Sequence, residues 1–197
     1  MPKTIDEIVR KKNGQKITVV TSYDYTMATL CDQVDILLVG DSAGMVMLGY
    51  ENTAPVTIDQ MCMFTEGVSN GRKNALIVAD LPNKSYENET DAIANSQRLI
   101  KAGADAVKLE GRLPEIIKAI VQADIPVMGH LGLLPQTATK YSVQGKTESD
   151  VESLLDDAKA LQEAGVFSIV LEMVTSEATK KVTEMLSVPT IGIGCGQ

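Results

Sequence analysis

The stretch KAGADAVKLE, Lys101–Glu110, returns 62 residues later as EAGVFSIVLE, Glu163–Glu172. Each copy leaves a helical pattern through a glycine, Gly103 or Gly165, and enters a short apolar segment that stops on a glutamate. Glycine at that place suits the left-handed residue that closes a helix. An apolar segment without alternation suits a strand buried on both faces of a parallel sheet. The offset is two repeats of about 31 residues, the length of a βα unit.

The same grammar extends in both directions. Short runs rich in β-branched residues occur at Ile17–Val20, Ile36–Val39, Leu76–Ala79, Ala106–Leu109, Val127–Gly129, Ser168–Leu171 and Thr190–Ile193. Helical patterns lie between them at Tyr25–Asp32, Ile58–Arg72, Asn88–Ala102, Leu113–Ala123, Asp150–Ala164 and Glu177–Leu186. The alternation predicts βα units joined by right-handed crossovers. Seven strands with six complete helices is one unit short of a (β/α)8 barrel, which leaves two architectures: an open doubly wound sheet, or a barrel lacking its C-terminal unit. No linker or low-complexity tract divides residues 1–197, so a single domain is expected. The longest polar connections, LPNKSYENETD at 81–91 and LLPQTATKYSVQGKTESD at 133–150, are either cover for a site or plain surface.

Composition narrows the function. Lys and Arg number 18 against 26 Asp and Glu, a net charge of -8, and no basic patch stands out. A nucleic-acid surface needs one, so that partner class is set aside. No apolar run approaches the roughly 20 residues of a membrane span, and the N-terminal segment has no apolar core of a signal peptide. The three cysteines, Cys31, Cys62 and Cys195, are far apart and form no CxxC pair. Reduced, inert thiols in a cytoplasmic protein are expected.

The chemistry gathers where strands end. The second run closes on Gly40-Asp41-Ser42, the third on Asp80, the fourth on Glu110, the fifth on His130, the sixth on Glu172, and the seventh on the glycine run GIGCG. In a parallel barrel all C-terminal strand ends share one rim, and that rim carries the site. Charged groups at buried strand ends are costly unless paired or metal-bound. Asp41, Asp80 and Glu110 on three successive strands would repel one another, and a divalent cation between them resolves the conflict. An all-oxygen donor set favours Mg2+ over Zn2+. Lys108 is in phase with Glu110 and points to the same face, where it suits an anionic substrate group or a structural ion pair. Ser42 is either a helix cap or a substrate-binding hydroxyl. His130, the only histidine, reads first as a satisfied structural side chain. Glu172 stands apart from the acidic trio and is free to act as a base.

At these residues the sequence resembles a known family. The segments VGDSAGMVMLGYENTAPVTIDQM, VADLP, AVKLEG, PVMGHLGLLPQ, VQGK, IVLEMV and PTIGIGCG are similar, in colinear order, to the motifs of the ketopantoate hydroxymethyltransferases. The resemblance implies a (β/α)8 TIM-type barrel of the phosphoenolpyruvate mutase/isocitrate lyase group. It implies transfer of a one-carbon unit from 5,10-methylenetetrahydrofolate to 3-methyl-2-oxobutanoate, giving 2-dehydropantoate for pantothenate and coenzyme A synthesis. It places Mg2+ ligands on Asp41, Asp80 and Glu110, oxoacid contacts on Asp41, Ser42, Asp80 and Lys108, and the proton acceptor on Glu172. It also implies a homo-oligomer. Family members usually run on past a Gly-Ala-Gly into an eighth strand; here Cys195 replaces the alanine, and the sequence given stops at Gln197. Two rival functions share the same rim: another Mg2+-dependent 2-oxoacid lyase or mutase, and a non-catalytic oxoacid-binding barrel.

Overall fold

The computed structural model describes residues 2–12 and 14–196. Its elements in chain order are α1 (Ile5–Arg10), β1 (Val19–Thr21), α2 (Tyr25–Cys31), β2 (Ile36–Val39), α3 (Ala43–Leu48), α4 (Ile58–Gly71), β3 (Leu76–Asp80), α5 (Glu89–Lys101), β4 (Ala106–Glu110), α6 (Pro114–Gln122), β5 (Val127–Gly132), α7 (Glu148–Glu163), β6 (Ser168–Glu172), α8 (Ser176–Met185) and β7 (Thr190–Ile193). All pairings are parallel, and the strands lie side by side in chain order from β1 to β7. That order decides between the two architectures. A doubly wound sheet reverses direction at a switch point, whereas an unbroken sequential order comes from turning the same way at every crossover. The sheet is a barrel wall one strand short of eight.

Alternation along each strand splits the core in two. Leu37, Val39, Ile77, Ala79, Val107, Leu109, Ile169 and Leu171 pack outward against the helices. Ile36, Leu38, Leu76, Val78, Ala106, Met128, Val170 and Ile191 fill the barrel interior. Gly103 and Gly165 both take positive φ, 107° and 101°, as helix-closing residues before β4 and β6.

Helix α1 stoppers one end of the interior. In α1, Thr4 and Glu7 form a capping box, and Ile8 is fully buried in the interior cluster. The flanking Lys3 and Lys11 both reach Asp35, just ahead of β2, at 3.1 and 2.6 Å. α1 therefore closes the N-terminal ends of the strands, the face that stabilises such barrels, and leaves the C-terminal rim for chemistry.

Candidate active site

Each inward stripe changes character at the top of the barrel. Leu76 and Val78 are followed by Asp80 on β3, Ala106 by Lys108 and Glu110 on β4, Met128 by His130 on β5, and Val170 by Glu172 on β6. The sheet register sets Asp80 beside Lys108 and Glu110 beside His130. Asp41 enters from the turn after β2, where its backbone N–H donates to Asp80 Oδ2 at 3.2 Å. Gly40 leaves room there for the Ser42 hydroxyl: a Cβ would lie 2.8 Å from Ser42 Oγ. Asp41, Asp80, Lys108, Glu110 and His130 are all buried, and Glu172 is the most open of the group, its side chain 19% exposed.

One ammonium serves this cluster. Lys108 Nζ lies 3.0 Å from Asp80 Oδ1 and 3.3 Å from His130 Nδ1. An ammonium only donates, so Nδ1 accepts and the ring proton sits on Nε2, which faces Glu172 Oε2 at 3.3 Å. Burial, reinforced by the Lys108 charge, holds the His130 pKa below its ordinary value and keeps the ring neutral. His130 thus bridges the Lys108 side of the rim to Glu172. Ser42 precedes α3 but caps nothing; its hydroxyl meets Tyr23 Oη at 2.9 Å.

Sequence reasoning overlooked Gln136 and Tyr86. Gln136, in the long β5–α7 connection, is buried; its side-chain NH2 donates to Asp41 Oδ2 at 2.8 Å and to the Leu81 carbonyl at 2.9 Å. Its backbone N–H donates to Glu110 Oε2 at 3.1 Å, and Tyr86 Oη donates to its Oε1. This connection is cover for the site rather than plain surface. The signal available was the PQ dipeptide inside an otherwise polar run, which carries no chemistry on its own.

The electrostatics call for more positive charge. Burial first, and then the Asp80 carboxylate, push the Asp41 pKa up to about 6, against the pull of Lys108 and Gln136. Burial pushes Glu110 up to about 8, opposed by Lys108 and the Gln136 N–H. Burial alone would lower Lys108, but the charges of Asp80, Glu110 and Asp41 overcome it and hold the ammonium protonated. Carboxyls lifted by desolvation and by one another match a site that takes up a cation. The donor set is hard oxygen, with its only nitrogen ring turned to Lys108 and Glu172, and it fits Mg2+ in kind. In spacing it is looser: among the described residues no three His, Cys, Asp or Glu side chains are already drawn to metal-ligand distance. Beside the cluster opens a cavity of about 320 Å³ lined by Glu110, Tyr86, Lys84, Arg112 and the apolar Leu113, Ile116 and Leu134. No described helix is long and apolar enough to cross a membrane.

The sequence matches the family described as ketopantoate hydroxymethyltransferase over residues 2–197. It is 60% identical over 205 aligned positions to the 3-methyl-2-oxobutanoate hydroxymethyltransferase of Nitrosopumilus maritimus (strain SCM1), covering all of this chain and 74% of that protein. It is 59% identical to the protein of the same name from Cenarchaeum symbiosum (strain A), covering 94% of this chain and 73% of the relative. Among solved structures it resembles a phosphoenolpyruvate phosphomutase from Streptomyces platensis subsp. rosaceus, with TM-score 0.74 and 13% identity over 96% of this chain and 72% of that one. It also resembles a 2,3-dimethylmalate lyase of the PEP mutase/isocitrate lyase superfamily, with TM-score 0.69 and 18% identity over 94% and 70% of the two chains. A third likeness is to a phosphonopyruvate hydrolase complexed with oxalate and Mg2+, with TM-score 0.68 and 12% identity over 97% and 81%. At such identities the structural likenesses establish the barrel, whereas the sequence matches reach further: the chain belongs to the ketopantoate hydroxymethyltransferase family.

Proposed function

We propose that the chain transfers a one-carbon unit from 5,10-methylenetetrahydrofolate to C3 of 3-methyl-2-oxobutanoate, with uptake of water, giving 2-dehydropantoate for pantothenate and coenzyme A synthesis. The observation that carries this reading is the convergence of Asp41, Asp80, Glu110, Lys108 and Glu172 on one barrel rim in a chain of this family. Asp41, Asp80 and Glu110 would hold Mg2+, a choice supported by their oxygen donors, their surplus charge, and the Mg2+ that accompanies oxalate in the phosphonopyruvate hydrolase complex. When bound, the ion would polarise the oxoacid carbonyl and acidify the neighbouring C–H. Lys108 and the Ser42 hydroxyl bind and orient the oxoacid, Lys108 offering the charge that an anion needs inside an acidic protein. Glu172, the most open carboxylate, takes the C3 proton and leaves that carbon able to bond to the folate-borne methylene. His130 Nε2 lies 3.3 Å from Glu172 Oε2, which sets the neutral ring beside the base. A homo-oligomer working in the cytoplasm belongs to the same proposal, supported by the resemblance of the motifs alone.

The test is deuterium exchange at C3 of 3-methyl-2-oxobutanoate, with and without the folate, in the wild type and in Glu172→Gln. The wild type should exchange C3 and form product with folate present. Glu172→Gln should lose exchange by about 100-fold or more while Mg2+ and oxoacid still bind. Exchange unchanged in the variant would remove Glu172 as the base. Absence of product from a wild type that binds both ligands would favour a different 2-oxoacid reaction or a binding role.

A further inference from the structure

We propose that Gln136 is a positioning residue that sets the orientation of the Asp41 and Glu110 carboxylates toward a shared cation. The inference rests on the functional reading above and assigns a role to a residue outside its ligand set. Gln136 is 5% exposed, so its polar groups must find partners inside the protein. Both amide hydrogens are committed, to Asp41 Oδ2 and to the Leu81 carbonyl, and the backbone N–H is committed to Glu110 Oε2. One residue from the loop after β5 thereby reaches groups at the tops of β2, β3 and β4. The amide cannot sit the other way round. Reversed, its oxygen would face a carboxylate and a carbonyl, three acceptors with no proton among them.

Tyr86 completes the arrangement. Burial, with the Glu110 charge, pushes its phenol well above the ordinary value, so it is a neutral donor, and it donates to Gln136 Oε1. An apolar side chain could fill this volume without needing the three partners of the amide, Asp41, the Leu81 carbonyl and Tyr86, so packing alone does not account for a buried amide. A lysine or arginine could make similar bonds, but it would neutralise the carboxylates and stand in for the cation. Glutamine fixes the oxygens and leaves their charge intact. Partners of this kind around metal ligands are worth about 10–100-fold in metal affinity or activity.

The experiment is calorimetric titration with Mg2+ alone into wild type, Gln136→Met and Tyr86→Phe, with circular dichroism and thermal midpoints recorded in EDTA. Gln136→Met keeps the length and removes every side-chain hydrogen bond. It should raise the Mg2+ dissociation constant about 10–100-fold, and raising Mg2+ should restore turnover toward the wild-type kcat, a rescue that a mere folding role would not show. Tyr86→Phe, which frees Gln136 Oε1 and keeps the ring, should shift the constant the same way by a smaller factor; it decides the matter if Gln136→Met does not fold. Both variants binding Mg2+ within twofold of the wild type would overturn the proposal. A wild type that takes up no Mg2+ would overturn the metal reading and this inference with it, a failure visible before any variant is made.

Discussion

Replacing Asp35 by asparagine tests whether the two ends of the barrel do separate jobs. Asp35 is buried just ahead of β2; Oδ1 meets Lys11 Nζ at 2.6 Å and Lys3 Nζ at 3.1 Å, and Oδ2 accepts from the Thr18 N–H at 2.9 Å. Asparagine keeps the shape, loses both ion pairs and turns an NH2 toward existing donors. Breaking a fully buried pair costs about 3–5 kcal/mol. Lys3 and Lys11 are 30% and 23% exposed and can turn to water, so the expected loss here is about 2–3 kcal/mol. For a chain of this size that is a fall in Tm of about 4–12 °C. The pH dependence has a definite sign. Burial alone would raise the Asp35 pKa, but the two ammonium groups and Thr18 hold it well below the ordinary carboxylate value. A depressed folded-state pKa stabilises fully above the unfolded value of about 3.9 and loses that stabilisation as pH falls through the folded one. Between pH 7 and pH 3 the gap between wild type and Asp35→Asn should therefore narrow by about 1 kcal/mol. Urea unfolding at both pH values measures it. Asp35 lies at the N-terminal ends of the strands, so kcat at a temperature where both proteins are folded should not change. A variant within about 0.5 kcal/mol of wild type at pH 7, or a gap that does not move at pH 3, would refute the reasoning.

Two further changes probe the rim. Asp80→Ala removes the ion partner of Lys108 and the acceptor of the Asp41 N–H; calorimetry should show both Mg2+ and oxoacid binding weakened about tenfold or more, and normal binding of both would refute the assigned ligand set. Gly40→Ala places a methyl 2.8 Å from Ser42 Oγ; the shifted hydroxyl should raise KM for the oxoacid at a stability cost of about 1–3 kcal/mol, and an unchanged KM would remove Ser42 from the substrate contacts.

The strands were legible because burial on two faces leaves a run of apolar residues that no helix of that length needs. β2 and β7 fall on the expected residues, whereas β3, β4, β5 and β6 run on by one to three. The extra residues are the polar ends, Asp80, Glu110, Glu172 and the His130–Gly132 stretch, which composition alone does not assign to a strand. Helix starts depended on caps: α7 begins at Glu148 rather than Asp150 because Thr147 and Asp150 close a capping box around the first turn. α3 was missed because Ala43–Leu48 is apolar at every position and shows no stripe; its Met45, Val46, Met47 and Leu48 are exposed. α1 was missed for the opposite reason, since a six-residue helix carries too few turns to display a period.

The site was legible to the depth of a strand and no further. Inward phase and strand polarity are local properties, so the position of each of Asp80, Lys108, Glu110 and Glu172 on the rim follows from its own strand. Which of them meet is not local: it follows from an unbroken strand order, which sets Asp80 against Lys108 and Glu110 against His130. Contacts from loops are less accessible still, because Gln136 is brought to Asp41 across 95 residues by a connection with no period at all. The charge pattern explains why the rim positions could be picked out locally. Deep in the barrel the inward residues are aliphatic and need no partners, while at the rim Asp41, Asp80 and Glu110 share one lysine. An acidic chain that is to hold an anionic oxoacid needs positive charge at one place rather than over its surface. The fold supplies that place by bringing its surplus carboxylates together where a hard cation would be shared between protein and substrate.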